Sequence, residues 1–270
     1  MQKKYLYLLI AVLITFIIGG CATTDDIKSV EKSVEVAQRD SLLVGVTPDF
    51  PPLIYKRGKE IIGIEADLAY VLAEEMNKQI QFVDLPWSEQ IPALLRGEID
   101  IIMAGMSMTV GREVRIKFSD HYMKSGLVTM MRAEDKAKYN SMEIIKKSFP
   151  NTGVVAETTG EIFVRRNFPK ATNVIALQKS DHAPSALKRR SIDIFIYDAP
   201  HILWLVSENE AELAGFWEPF NEEKLAWAVR RDDGEFLNQV NSILDGMRKD
   251  GRLDQILLKW LPSDYLERFR

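Results

Sequence analysis

The stretch RGEIDIIMAGMSMTVGRE, Arg96 to Glu113, carries an apolar strand pattern into small and sulfur-bearing residues and ends near an arginine. Its first half has an echo further on: PALLRGEIDII from Pro92 is matched by PSALKRRSIDIFI from Pro184. Each copy places a proline where it suits the first turn of a helix, then basic residues, then an Ile-Asp-Ile strand. The two copies are expected to fill equivalent places in two similar α/β lobes, each supplying one wall of a ligand site.

The segments around the first copy support that reading. LLVGV from Leu42 reads as a buried strand, and the segment Ile64 to Gln79 puts Ile64, Leu68, Val71, Leu72 and Met76 on one helical face. IQFVDL is a second strand, Ser88 is expected to cap the next helix, Gly97 stands just past its end, and IDIIMAG is a third strand. Around the second copy, TGVVAETTG reads as a strand running into a helix start and Thr172 to Leu177 as a strand. Asp181 is expected to cap the helix that ends at Arg190, and SIDIFIYDAP closes the unit. Strand-helix-strand-helix-strand order with right-handed crossovers predicts mostly parallel sheets flanked by helices, one per lobe.

Composition fits an ordinary globular protein. The chain has 270 residues, of which 46% are hydrophobic and 27% charged, enough for a sizeable core. The formal net charge is -4 and no long basic cluster occurs, so a nucleic-acid footprint is absent. At the N-terminus, Lys3 and Lys4 precede an apolar run from Tyr5 to Ile18 that ends in Gly19-Gly20-Cys21. This resembles a bacterial lipoprotein signal, in which cleavage after residue 20 leaves the Cys21 thiol to carry lipid; an uncleaved signal anchor or a buried free cysteine is the alternative. Removing residues 1–20 takes away two lysines and leaves 33 basic against 39 acidic residues. Residues 21–41 read as a lipid-anchored flexible spacer, and Cys21 is the only cysteine, so no disulfide is expected within the chain.

In such sheets ligands bind beyond the carboxyl ends of the strands. That rule selects Phe50 in TPDFPPLIY, the turn from Gly105 to Arg112, the Thr158-Thr159-Gly160 segment and Asp198. Asp198 also suits a helix N-cap with Pro200 in the first turn, Thr159 suits a plain helix start, and Arg112 suits a surface arginine near one. Phe50 and Trp87 suit the core equally, and Met106 and Met108 read as packing. No HExxH pair, GxSxG elbow, P-loop or GxGxxG occurs, so neither a catalytic centre, a cofactor nor a metal is expected.

Taken together, TPDFPPLIY, GIEADLA, SEQIPALLRGEIDII, MSMTVGREVRIKFSDHY, TTG and IDIFIYDAP resemble family 3 of the bacterial extracellular solute-binding proteins, from Leu42 to Leu261. The resemblance implies a two-lobed flytrap of the type II periplasmic-binding-protein fold that captures an amino acid or a similar small carboxylate. It implies delivery to an ABC permease with its ATPase, a monomer, and a location outside the cytoplasm, tethered through lipid on Cys21. It further implies that Arg112 holds the ligand α-carboxylate, with Ser107 and the backbone around Gly105 adding donors and Thr159 clasping from the other lobe. Asp198 would accept the α-ammonium, Phe50 would cover the side chain and Trp87 would line the floor. Gly105 departs from the serine or threonine that many such receptors carry there. The lobes are expected at 42–129 plus 227–270 and at 130–226. Similar chains are cyclohexadienyl dehydratases, for which Glu157 or Asp198 could serve as general acid. Others are sensory or cell-wall-linked modules, which would act here through a separate partner.

Overall fold

Leu42, Val44 and Val46 are fully buried because the strand that carries them is flanked by a partner on each side. The computed structural model describes residues 40–170 and 172–269. The expected signal peptide, Cys21 and nearly all of the expected spacer lie outside the described residues.

The first lobe opens with β1 (Ser41–Val46), β2 (Asp49–Phe50), β3 (Ile54–Arg57) and β4 (Glu60–Ile62). It continues with α1 (Ile64–Glu75), β5 (Gln79–Asp84), α2 (Gln90–Arg96), β6 (Ile101–Ile102), α3 (Val110–Glu113) and β7 (Lys117–Phe118). Strand β8 (Met123–Ser125) leads into β9 (Leu127–Arg132), α4 (Met142–Lys147), β10 (Thr152–Val155), α5 (Thr159–Asn167) and β11 (Val174–Leu177). The second lobe closes with α6 (Ala183–Lys188), β12 (Ile194–Asp198), α7 (Ala199–Ser207) and β13 (Leu213–Phe216). Strand β14 (Glu223–Leu225) returns the chain to β15 (Ala228–Val229), α8 (Gly234–Asp250), α9 (Arg252–Trp260) and α10 (Ser263–Arg268).

The fold is a two-lobed α/β architecture with one mixed five-stranded sheet per lobe. Their orders are β5-β1-β6-β15-β7 and β11-β10-β12-β9-β13. In both, the first three strands are parallel, the fourth runs against them, and the fifth, antiparallel to the fourth, runs in their direction. The antiparallel pair β8–β14 belongs to neither sheet and links the lobes, with Ser125 opposite Glu223 and Met123 opposite Leu225. The expected boundary at 129/130 falls inside β9, and that at 226/227 lies between β14 and β15.

The repeated Ile-Asp-Ile motif now has a physical account. Asp100 Oδ2 accepts the Leu43 backbone N–H at 2.9 Å, and Asp193 Oδ2 accepts that of Asn151 at 2.9 Å, so each aspartate ties the central strand to its neighbour. Each lies near an arginine, Arg230 at 3.8 Å from Asp100 and Arg132 at 3.3 Å from Asp193. The preceding isoleucines, Ile99 and Ile192, fill space that a side chain at Gly45 or Gly153 would need, at 2.3 and 2.6 Å from an added Cβ. The echo thus marks equivalent scaffold joints at the base of each lobe, and the residues after it reach the site.

Local chemistry sets the helix ends. Ile64, Leu68 and Leu72 of α1 are fully buried, each such side chain contributing about 1.5–3 kcal/mol relative to exposure. The helix stops at Glu75 rather than Gln79, because Asn77 takes a left-handed φ of 51° and Lys78 donates to Ala73, turning the chain into β5. Ser88 does not cap α2: it lies within a short 3-10 turn, Trp87–Glu89, and the helix begins after Glu89. Asp181 likewise sits in the 3-10 turn Ser180–His182, and α6 begins after His182. Gly97 ends α2 in the left-handed conformation, as its position predicts.

Candidate functional site

The carboxyl ends of the two sheets face a cavity of about 430 Å³, and all seven candidate residues, Phe50, Trp87, Gly105, Ser107, Arg112, Thr159 and Asp198, line it. Phe50, at the end of β2, packs 5.5 Å from the Tyr197 ring and 5.1 Å from that of His201, both in the second lobe. Trp87, in the loop after β5, donates its indole N–H to the Glu157 carbonyl oxygen at 3.1 Å, across the lobes.

Arg112 reaches the cavity from α3, a single turn capped by the Thr109 hydroxyl, which accepts the Arg112 backbone N–H at 3.3 Å. Its guanidinium donates from Nη1 to the Ser107 carbonyl at 2.7 Å and lies 5.1 Å above the Trp87 ring. Both contacts hold the planar group in one orientation, as a two-pronged carboxylate contact requires. Burial lowers its pKa, while the carboxylates of Asp198 and Glu223 oppose that shift. A cation held out of water beside a cavity is suited to an anion.

Asp198 ends β12 and occupies the N-cap position of α7, yet its side chain makes no capping hydrogen bond. It is only 5% exposed, and its Oδ1 has no hydrogen-bond partner. Burial first, and then the charge of Glu223, push its pKa well above the ordinary carboxylate range, with Arg112 pulling the other way. Capping therefore does not explain this aspartate.

Two expected contacts differ in detail. The Gly105 N–H donates to the Glu65 carboxylate at 2.7 Å, so that amide faces away from any ligand. The Ser107 hydroxyl donates to Glu223 Oε2 at 2.5 Å, and the Thr159 hydroxyl to the same oxygen at 3.3 Å. Gly105 itself is accounted for by sterics: its φ is +68°, and an added Cβ would lie 2.6 Å from Phe50 Cε1 and 2.9 Å from Leu53 Cδ1. A serine here would displace the aromatic that covers the cavity. Met106 is buried in the core beside Ile102 and Ile116, as a packing role predicts. Glu157 does not line the cavity; it borders a smaller pocket beside Trp87 and Pro92.

Sequence reasoning missed Glu223, Tyr197 and the far end of the cavity. Glu223 is 6% exposed, accepts from Ser107, Thr159 and Asn221, and comes from the strand that links the lobes. The far end carries Asp49, Asp84, Lys56 and Lys179, paired as Lys56–Asp84 at 2.5 Å and Lys179–Asp49 at 3.7 Å. Asp49 has a raised pKa because burial and its acidic neighbours Asp181 and Asp84 outweigh Lys179. Asp49 directly precedes Phe50, which was the available cue. Among the described residues no His, Cys, Asp and Glu cluster suits a metal ion, and no helix is long and apolar enough to cross a membrane.

Comparison with known proteins agrees with this architecture. The glutamine-binding protein GlnH of an ABC transporter in Bacillus subtilis is 26% identical over 99% of this chain and all of its own. An ancestral arginine-binding protein, solved with arginine bound, superposes with a TM-score of 0.77 at 30% identity, covering 83% of this chain and 99% of that one. The ancestral amino-acid-binding protein AncCDT-1, described as a precursor of cyclohexadienyl dehydratase, gives 0.77 at 30% identity, covering 84% of this chain and 98% of that one. The family model of the bacterial extracellular solute-binding proteins, family 3, matches residues 42–263, and the chain belongs to that family.

Proposed function

We propose that this protein captures a free amino acid outside the cytoplasm and presents it, in a closed two-lobed form, to an ABC permease and its ATPase. The observation that carries the reading is a half-buried arginine and a buried carboxylate, Arg112 and Asp198, on opposite walls of one cavity of about 430 Å³. An α-carboxylate facing Arg112 and an α-ammonium facing Asp198 give each group its complement, and Phe50, Trp87 and Thr159 enclose the remainder. Ligand favours closure because both walls touch it only when the lobes meet, a population shift driven by differential contact. The lobe built on β1–β7 and β15 and the lobe built on β9–β13 move about the β8–β14 link. Relatives that bind glutamine or arginine support the ligand class.

A thermal-shift screen of the protein against the common L-amino acids tests this reading, because ligand at about 100 times its dissociation constant adds roughly 2.7 kcal/mol of stability. No shift with any of them overturns it. The membrane tether is tested by Cys21→Ser, expected to release the protein from membranes with ligand binding unchanged, since a lipoprotein is held by the acyl chains on its cysteine.

The likeness to a precursor of cyclohexadienyl dehydratase, together with the raised pKa of Asp198, supports a second reading in which Asp198 acts as a general acid. Incubation with prephenate separates the two, an aromatic product favouring the enzyme.

A further inference from the structure

We propose that ligand capture at this site is a proton exchange: the empty protein holds a proton on Asp198, and the arriving ammonium expels it. The inference rests on the amino-acid reading given above. Its basis is a charge count among buried groups. Asp198 and Glu223 are 5% and 6% exposed, the charge of Glu223 acts on Asp198, and Arg112 is the cation that faces them both. Two buried carboxylates that share one site do not both ionise, so one keeps a proton.

Hydrogen bonding decides which one. Glu223 receives three donors, Ser107 and Thr159 on Oε2 and Asn221 Nδ2 on Oε1 at 3.0 Å. Asp198 has an oxygen with no partner and makes no capping bond, so the proton resides there. The other titratable groups facing Asp198 are Tyr197 on the same strand, Tyr122 ahead of β8 and Tyr265 on α10. Burial raises all three phenols, so each stays neutral and none supplies a second positive charge.

The balance is simple. A protonated Asp198 plus a ligand ammonium gives a carboxylate–ammonium pair plus one proton released to solvent, with no bond broken other than O–H. Glu223 is in this view a positioning residue: it does not line the cavity, and its charge adds to the burial that keeps Asp198 protonated. Selectivity follows. A ligand that carries a cationic amine displaces the proton, whereas an analogue with a hydroxyl in its place leaves it and accepts a hydrogen bond from Asp198.

The test has two parts. Carbon-13 NMR of the empty protein labelled at aspartate carboxyls should show one resonance, missing in Asp198→Asn, that stays at the protonated position at pH 7. Calorimetry with L-glutamine and L-arginine at pH 7.5, in buffers of different ionisation enthalpy, should then report release of about one proton per ligand bound. That pH lies above the ordinary range of His201, whose proton therefore does not contribute. Glu223→Gln should release fewer protons per ligand than the parent, because burial still favours the protonated Asp198 while the opposing charge is gone. An ionised Asp198 in the empty protein, or binding without proton release, overturns the proposal. Absence of heat with either amino acid, and with the rest of the common set, overturns the amino-acid reading instead.

Discussion

His201 of α7 and Pro51, next to Phe50, are joined across the lobes by a hydrogen bond of 2.6 Å from Nδ1 to the carbonyl oxygen. A carbonyl only accepts, so Nδ1 carries the hydrogen and Nε2, buried without a partner, does not. Burial lowers the His201 pKa from 6.5 to about 4, outweighing the hydrogen bond to Pro51 and the nearby Asp181.

The first prediction is acid sensitivity at this joint. With the folded pKa depressed, the unfolded chain binds the extra proton, so the stability is fully present above pH 6.5 and is lost as pH falls toward 4. The difference amounts to about 3 kcal/mol. His201→Asn keeps a donor near the Nδ1 position and does not titrate. Urea unfolding from pH 7 to pH 4 should show the parent losing about 3 kcal/mol more than the variant; parallel curves would refute the assignment.

Glu65 predicts the opposite slope. Its carboxylate is fully buried and accepts from the Gly105 N–H at 2.7 Å, the Tyr122 hydroxyl at 2.8 Å and the Trp227 indole at 2.9 Å. Burial nevertheless wins over these three donors and raises its pKa from 4.5 to about 7. The folded protein then holds the extra proton, so stability falls as pH rises from 4.5 to 7, by about 3 kcal/mol. In Glu65→Gln that part of the slope should disappear, as measured by the difference between the two unfolding profiles. An unchanged slope would mean that the carboxylate is ionised throughout.

These two groups show where sequence legibility ends. The alternation of strands and helices was visible because parallel strands read as apolar runs and helices as 3.6-residue stripes, and Arg112, Asp198 and Trp87 were visible because each follows a strand. Glu65 lies within the helix that begins at Ile64, and nothing in GIEADLA shows that its partners lie 40, 57 and 162 residues away. Glu223 was invisible for the same reason: NEEK looks like a solvated acidic turn, and only the β8–β14 link carries it beneath the site. Ser88 and Asp181 have capping chemistry, but short 3-10 turns displace both helix starts.

Gly105 yields a steric prediction. Gly105→Ala must accommodate φ of +68° and a Cβ 2.6 Å from the Phe50 ring, against a background strain cost of about 1–3 kcal/mol. The variant should be less stable by at least about 1 kcal/mol, and binding should weaken as well because the ring must shift. A variant with parental melting temperature and affinity would show that Phe50 does not pack on the turn.

Arg112 and Asp198 carry the last prediction. They face one cavity from α3 and from the end of β12, and Arg112 is oriented by the Ser107 carbonyl and the Trp87 ring. Removing either side chain should therefore act on binding far more than on the empty fold. Each alanine variant is expected to weaken amino-acid binding by about 2–5 kcal/mol, because the ligand charge it leaves behind is desolvated without a partner. The empty proteins should differ. Arg112→Ala loses a stacked, hydrogen-bonded cation and should be destabilised by about 1 kcal/mol. Asp198→Ala removes a carboxyl group that makes no capping bond and whose Oδ1 has no partner, so its stability should be parental or higher. Calorimetry and urea unfolding on both variants check the pattern. Normal binding by Arg112→Ala would remove the carboxylate anchor, and normal binding by Asp198→Ala would mean that the ligand needs no amine.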